Sequence, residues 1–339
     1  MLSGGIDAGS RRARPFEGAL LINNHQPLGV VNKGFRYSNH IDRDAAGESV
    51  LTFYTTRYSH STQLEWLDRI ARGAVRVDGQ RVACDTVLCA GQVVTYERAP
   101  WTEPDTPTAF AVLQADDQMV AVDKPAGLPV LPGGHRLQCT LLALVRARFT
   151  GEVPPSPVHR LGRGTSGIVL FAMTKDALRV LTTAFAERRV TKLYRALVCG
   201  VGFPRERQVD VPVGRVSYPP TGYLYAATAD GAPSRSVFRL LHEDRERCQS
   251  IIEVRIVTGR TQQIRIHTAA IGHPLVGDPL YVSGGGPAAL VAGARAALPG
   301  DCGYHLHATR LAFRDPTSQR PVDIVSPAPP MLRIPGERY

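Results

Sequence analysis

The chain has 339 residues, 43% of them hydrophobic and 21% charged, with 40 Lys+Arg against 30 Asp+Glu for a formal net charge of +10. That length predicts two or three domains, and the composition excludes wholesale disorder. No apolar run approaches the ~20 residues of a membrane-spanning helix, and six cysteines without a CxxC pair fit reduced thiols inside a cell better than a secreted disulfide scaffold. Lysine occurs only at Lys33, Lys124, Lys175 and Lys192, so the cationic excess is arginine. Its planar fork suits phosphates and bases, which favours a nucleic-acid ligand, although a G+C-rich genome produces the same bias.

Residues 1–49 read as an N-terminal extension: Arg11, Arg12 and Arg14 lie among small polar residues, with no apolar core for a secretory signal. Residues 50–99 read as a small α+β module. Leu64, Leu67 and Ile70 stand at helical spacing over 63–72, and Gly73 is placed to end that helix. Val75, Val77 and Val82 around Asp78-Gly79 predict a hairpin, and 93–96 a closing strand. Residues 100–108, proline-bearing, form a linker.

Residues 109–327 are strand-rich, with strands predicted at 119–122, 168–173, 192–198, 237–241 and 251–256 and helices at 139–149, 177–187 and 262–271. The irregular succession predicts an α+β fold with a mixed, largely antiparallel sheet rather than a βαβ alternation. The Gly- and Ala-rich stretch 283–299 reads as an exposed loop, and 328–339 as a C-terminal tail.

Two patterns carry less than they promise. Gly162-Arg163-Gly164-Thr165-Ser166-Gly167 matches a dinucleotide-binding fingerprint, but a β-branched run follows where a helix is required, so no nucleotide cofactor is expected. Cys302, His305 and His307 lack a fourth ligand at a sensible spacing, so no metal is expected.

Four segments in order resemble the RluA family of RNA pseudouridine synthases. Asp123-Lys124-Pro125-Ala126-Gly127-Leu128 is similar to the first family motif, and the segment from Val158-His159-Arg160-Leu161-Gly162 to Gly167 to the central one. Lys192-Leu193-Tyr194 matches the lysine-x-tyrosine strand, and Thr258-Gly259-Arg260-Thr261-Gln262-Gln263-Ile264-Arg265 with Gly277-Asp278 the third motif. The resemblance spans about residues 109–325. It implies a central RNA-binding cleft, isomerisation of uridine to pseudouridine in tRNA or rRNA, no cofactor, and an intracellular monomer with no membrane partner. The 50–99 module is similar to the S-four-type RNA-binding module, and the ending Gly303-Tyr304-His305-Leu306-His307 looks closest to a plant-type branch.

By this resemblance Arg160 wedges beside an extruded nucleotide, Tyr194 stacks on the uracil, and Arg265 pairs with the family's catalytic aspartate. His159, Arg163, Thr165, Lys124, Arg260 and Gln263, with Trp66 and Arg69 of the small module, are the implied RNA contacts. The catalytic aspartate itself is absent: its position holds Gly162, and Gln262 replaces a usual histidine. Arg265 is therefore expected to need another partner, Asp123 is the first candidate to stand in for the acid, and Asp278 is expected to be structural. A catalytically impaired RNA-binding protein on the same fold is the alternative reading.

Overall fold

A computed structural model describes residues 20–22, 29–58, 61–133 and 135–337. The chain divides into two compact units, Pro27–Pro104 and a larger one comprising Met1–Gln26 with Asp105–Tyr339. Strand β1 (Leu20–Ile22) belongs to the larger unit, where it pairs with residues 110–112. The arginine cluster at Arg11 to Arg14 lies outside the described residues.

The smaller unit holds β2 (Phe35–His40), α1 (Val50–Arg57), α2 (Gln63–Ala71), β3 (Val75–Val77), β4 (Gln80–Arg81) and β5 (Val93–Arg98). Its sheet runs β2-β5-β3-β4. The unit therefore starts well before residue 50, because β2 pairs along the whole of β5. It also takes in the first part of the expected linker, where Asn32 donates to Glu103 at 3.0 Å. Helix α2 opens on a reciprocal cap in which Thr62 accepts from the Glu65 amide and Glu65 from the Thr62 amide. It turns Trp66 and Ile70 inward, one turn apart, and leaves Leu64 in solvent. Asp78 and Gly79 both take positive φ, the requirement of a two-residue hairpin turn.

In the larger unit the elements are β6 (Phe110–Ala115), β7 (Met119–Lys124), α3 (Leu141–Arg148), β8 (Ser156–Pro157), β9 (Ser166–Ala172), α4 (Lys175–Ala186) and β10 (Thr191–Cys199). They continue as β11 (Glu206–Val209), β12 (Val213–Tyr218), β13 (Gly222–Ala227), β14 (Ser236–Asp244), β15 (Gln249–Ile256), α5 (Gln263–Ala270), β16 (Leu306–Arg314) and β17 (Pro321–Val325). The main sheet follows the order β1-β6-β7-β9-β16-β10-β15-β14-β11, with β8 on β9 and β17 on β16, while β12 and β13 form a separate hairpin. The architecture is α+β and mostly antiparallel. Residues 283–299 contain no helix or strand.

Strand β9 is apolar after Ser166 because both faces are covered. Ile168 and Leu170 pack on Ala177, Leu181 and Ala184 of α4, while Val169 and Phe171 pack on Leu141, Leu144 and Val145 of α3. Threonines 140 and 174 cap those helices by accepting from the Ala143 and Ala177 amides. Among the described residues β9 and β16 form the one parallel pairing of the main sheet, with His307 opposite Ser166 and Ala308 opposite Gly167. The backbones approach so closely there that a Cβ on Gly167 would lie 2.3 Å from the Ala308 carbonyl oxygen.

The expected tail is part of this unit. Ala328 and Leu332 are buried with Leu197 and Ile251, and Glu337 accepts from both terminal nitrogens of Arg195 at 2.5 and 2.7 Å.

His307 is 2% exposed, held between the hydroxyls of Ser166 at 2.8 Å and Ser326 at 3.1 Å. Burial pulls it down from 6.5 to about 4, so the fold keeps it neutral where the unfolded chain protonates it. Its contribution to stability is complete above pH 6.5 and is lost as pH falls towards 4. Asp123, raised by burial to about 6, acts in the opposite sense between about pH 6 and 4 because the fold keeps its proton. Urea midpoints of the wild type are expected to drop more steeply from pH 7 to pH 5 than those of His307→Gln.

Candidate active site

The central motif forms the loop between β8 and β9, and two other segments converge on it. Lys124, at the end of β7, is fully buried and donates to the carbonyls of Pro125, Leu128 and Arg163 at 2.8, 2.7 and 3.2 Å. Its three protons are thereby spent on tying the first motif to the second. Burial lowers it to about 7. The Gly127 amide adds a bond to the Arg163 carbonyl, and the Arg163 side chain donates to the Gly300 carbonyl. Lys124 is a buried clamp rather than an RNA contact, because no donor is left to reach a ligand.

The third motif is built on a buried glutamine. Gln263 Oε1 accepts from the Thr258 hydroxyl and the Arg260 amide, and its Nε2 donates to the Arg235 carbonyl and the Ser236 hydroxyl. These four bonds shape the 258–263 turn that starts α5. Gln263 borders the cleft at 3% exposure; it is a scaffold for its neighbours, in place of the expected RNA contact. Gln262, in the left-handed region at φ 58°, directs its amide to the Pro299 carbonyl.

Arg265 has found its partner. Its Nε and Nη2 donate to the two oxygens of Asp278, each at 2.7 Å, and its Nη1 donates to Gln262 Oε1 and the Pro299 carbonyl. Both side chains are 1% exposed. Asp278 also accepts from the Leu280 and Tyr281 amides. Burial works against the Arg265 charge, but the Asp278 carboxylate outweighs it and holds the group protonated. The guanidinium lies over the rings of Tyr304 at 4.3 Å and Tyr281 at 4.9 Å. Arg265 thus has the other partner that the sequence led one to expect, and an acid restored at residue 162 would meet a cation already neutralised.

Two adjoining clefts, of about 420 and 490 Å³, share Arg160, Tyr194, Ile256, Gly259 and Arg260. The first also exposes Gly162, Thr165, Gln262 and one side of Arg265; the second exposes His159, Phe185, Arg188 and Lys192. None of the lining residues is acidic. Among the described residues, the side chains of Arg160, Arg188, Lys192 and Arg260 engage no carboxylate. Burial, with Arg188 adding to it, lowers the Lys192 ammonium. Tyr194 is 8% exposed, and burial keeps its phenol protonated, raised to about 12. His159 accepts from the Leu170 amide and stacks on Phe185 at 4.8 Å, with burial pulling it down to about 3, so it enters the second cleft as a neutral ring.

Asp123 is not the replacement acid. It lies with Lys124 and His307 in a separate cavity against residues 327–333, and neither cleft includes it. In the smaller unit Trp66 is a core residue, 2% exposed and stacked on Tyr54 at 4.3 Å, so it offers no face to RNA. Arg69 lies over the Trp66 ring at 4.5 Å and donates to Ser61.

Tyr304 was not foreseen as a site residue. Its hydroxyl stands 3.2 Å from where a Cβ of Gly162 would be, and its ring fills the space that a Cβ of Gly164 would need. Gly164 of the misleading fingerprint is thus the slot for this ring, and the Gly303-Tyr304-His305-Leu306-His307 ending is the signal that could have pointed to it.

Asp278→Asn leaves the Arg265 charge buried with half of its bonding lost. The expected cost is about 3–5 kcal/mol, read as a fall in the urea midpoint, whereas Arg163→Gln, at a partly exposed side chain, changes it by less than about 1 kcal/mol.

The model of the family described as RNA pseudouridylate synthase matches residues 118–270. RNA pseudouridine synthase 5 of Arabidopsis thaliana is 41% identical, over 91% of this chain and 96% of its own. The ribosomal large subunit pseudouridine synthase D of Xanthomonas campestris pv. campestris is 34% identical, over 84% and 86%. Among solved structures, human RNA Pseudouridylate Synthase Domain Containing 1 superposes with a TM-score of 0.52 at 26% identity, covering 68% of this chain and 89% of that one. Ordered motifs, a shared fold and similarity along nearly the whole length give one conclusion: this chain belongs to the RluA-type family of RNA pseudouridine synthases.

Proposed function

We propose that this protein isomerises uridine to pseudouridine in structured RNA, tRNA or rRNA, acting inside the cell as a monomer. The observation that carries the reading is the pair of acid-free clefts around Tyr194. A buried aromatic ring gives an extruded base a stacking face, and four cations engaging no carboxylate give its flanking phosphates their counter-charge. The reaction is an isomerisation, so atoms and electrons balance without any co-reactant. Arg160, exposed and shared by the linings of both clefts, supports a role in filling the gap left by the extruded base.

The decisive experiment compares pseudouridine maps of total RNA from cells with and without the gene, followed by reconstitution with purified protein and the affected transcript. One or more sites that vanish with the gene and return in vitro are expected. Binding without any change of the map would identify the impaired RNA-binding protein instead.

The four cations set the salt response. With about four phosphates neutralised, log K is expected to fall against log salt with a slope of roughly −3 to −4. Arg260→Gln and Arg188→Gln should each make the slope shallower by roughly one, as measured by fluorescence titration between 50 and 200 mM salt.

A further inference from the structure

The position of Gly162 has no side chain, yet the space around it is arranged. Its missing Cβ would lie 3.2 Å from Tyr304 Oη, 3.5 Å from Thr165 Oγ1 and 3.9 Å from Gln262 Oε1. The two hydroxyls are 3.3 Å from each other. Tyr304 cannot drift: its ring is held beside Gly164 and against the Arg265 guanidinium. Thr165 is fixed as well, since its amide donates to the Gly162 carbonyl at 3.1 Å. Gln262 is occupied by Arg265 and Pro299. That leaves Thr165 on the wall of the first cleft, with the Tyr304 hydroxyl in contact with it.

Resting on the isomerase reading above, we propose that Thr165 acts on the substrate at the place left open by Gly162, with Tyr304 as the positioning residue that orients its hydroxyl. Either hydroxyl can donate across their contact; in this proposal the phenol, kept protonated by burial, donates to Thr165 Oγ1, which frees the Thr165 hydrogen to turn towards the cleft. A neutral donor beside Arg160 and Arg260, with no carboxylate in the lining, favours negative charge on whatever it touches. The group that acquires negative charge in this reaction is the departing base.

The chemistry follows that charge. The N1–C1′ bond breaks with its electron pair leaving on uracil, where the charge spreads to O2 and O4, and C1′ is left as an oxocarbenium-like centre. Thr165 stabilises the anion by a hydrogen bond without bonding to the sugar. After the base turns, C5 supplies the electron pair of the new bond to C1′. The hydrogen on C5 then leaves to solvent as a proton, and N1 takes one proton from solvent. Uridine and pseudouridine remain isomers, and no side chain changes its protonation state.

Release of tritium from RNA carrying uridine labelled at C5 reads the reaction directly. Tyr304→Phe keeps the ring and removes the hydroxyl; Thr165→Val keeps the shape and removes the donor. Each is expected to lower kcat roughly 10²-fold, with KM within about twofold and an unchanged thermal midpoint, while Thr165→Ser stays within about threefold of wild type. The double variant should be no slower than the slower single one, because the two hydroxyls act as a unit. In a Gly162→Asp background, Tyr304→Phe should cost less than about threefold, because the carboxylate then supplies the interaction. Wild-type kcat in both Tyr304→Phe and Thr165→Val, or a loss confined to KM, overturns this inference and leaves the isomerase reading standing. A wild-type protein that releases no tritium from any RNA whose map depends on the gene overturns both.

Discussion

The pairing of Arg265 with Asp278 is the constraint on which the rest of the site depends. Two opposite charges at 1% exposure lose their hydration, and only a two-pronged contact with the remaining donors and acceptors satisfied compensates for that loss. Here the compensation is nearly complete. Asp278 collects two backbone amides besides the guanidinium, and Arg265 spends its remaining nitrogen on Gln262 and Pro299. The pair thereby fixes the start of α5, the turn after it and the segment leading to β16. It also provides the flat cation on which the Tyr304 ring rests. Since this cation is neutralised from behind, the charge that a substrate meets comes from Arg160, Arg188, Lys192 and Arg260.

A second constraint is the close approach of β9 and β16. Parallel pairing next to Gly167 brings the end of the central motif against the strand that follows Tyr304, and only a residue without Cβ tolerates it. Two of the three glycines that imitate a nucleotide fingerprint therefore serve packing. Gly167 admits the neighbouring backbone and Gly164 admits a tyrosine ring, whose hydroxyl stands beside Gly162. Lys124 locks the loop from the other side with three carbonyl bonds, which explains why a lysine in a strongly cationic protein is withdrawn from solvent.

The two clefts combine an aromatic floor with cations that lack carboxylates. Such a site is poorly suited to a cationic or neutral partner and well suited to a polyanion that carries a planar base. Gly162 shifts the balance further. Where a carboxylate would cancel part of the positive field in the cleft, this chain presents the Thr165 hydroxyl.

By itself the sequence determined the elements with strong periodicity and the order of the motifs. The amphipathic α2, the Asp78-Gly79 hairpin and the buried β9 were legible because local propensity and burial agree there. Strands β11, β12, β13 and β17 were not, because their pattern of exposure depends on which neighbour covers them. The same division holds at the site. Arg160, Tyr194, Arg260 and Arg265 could be named from motif and residue type, but burial and partnership could not. Trp66 and Lys124 look like ligands of RNA until their neighbours enclose them, and Asp123 looks like a spare acid until the fold places it in another cavity. The partner of Arg265 lies 13 residues downstream, and Tyr304 reaches Thr165 across 139 residues. Contacts at those separations are set by how the strands of the sheet are ordered, which only the tertiary structure decides.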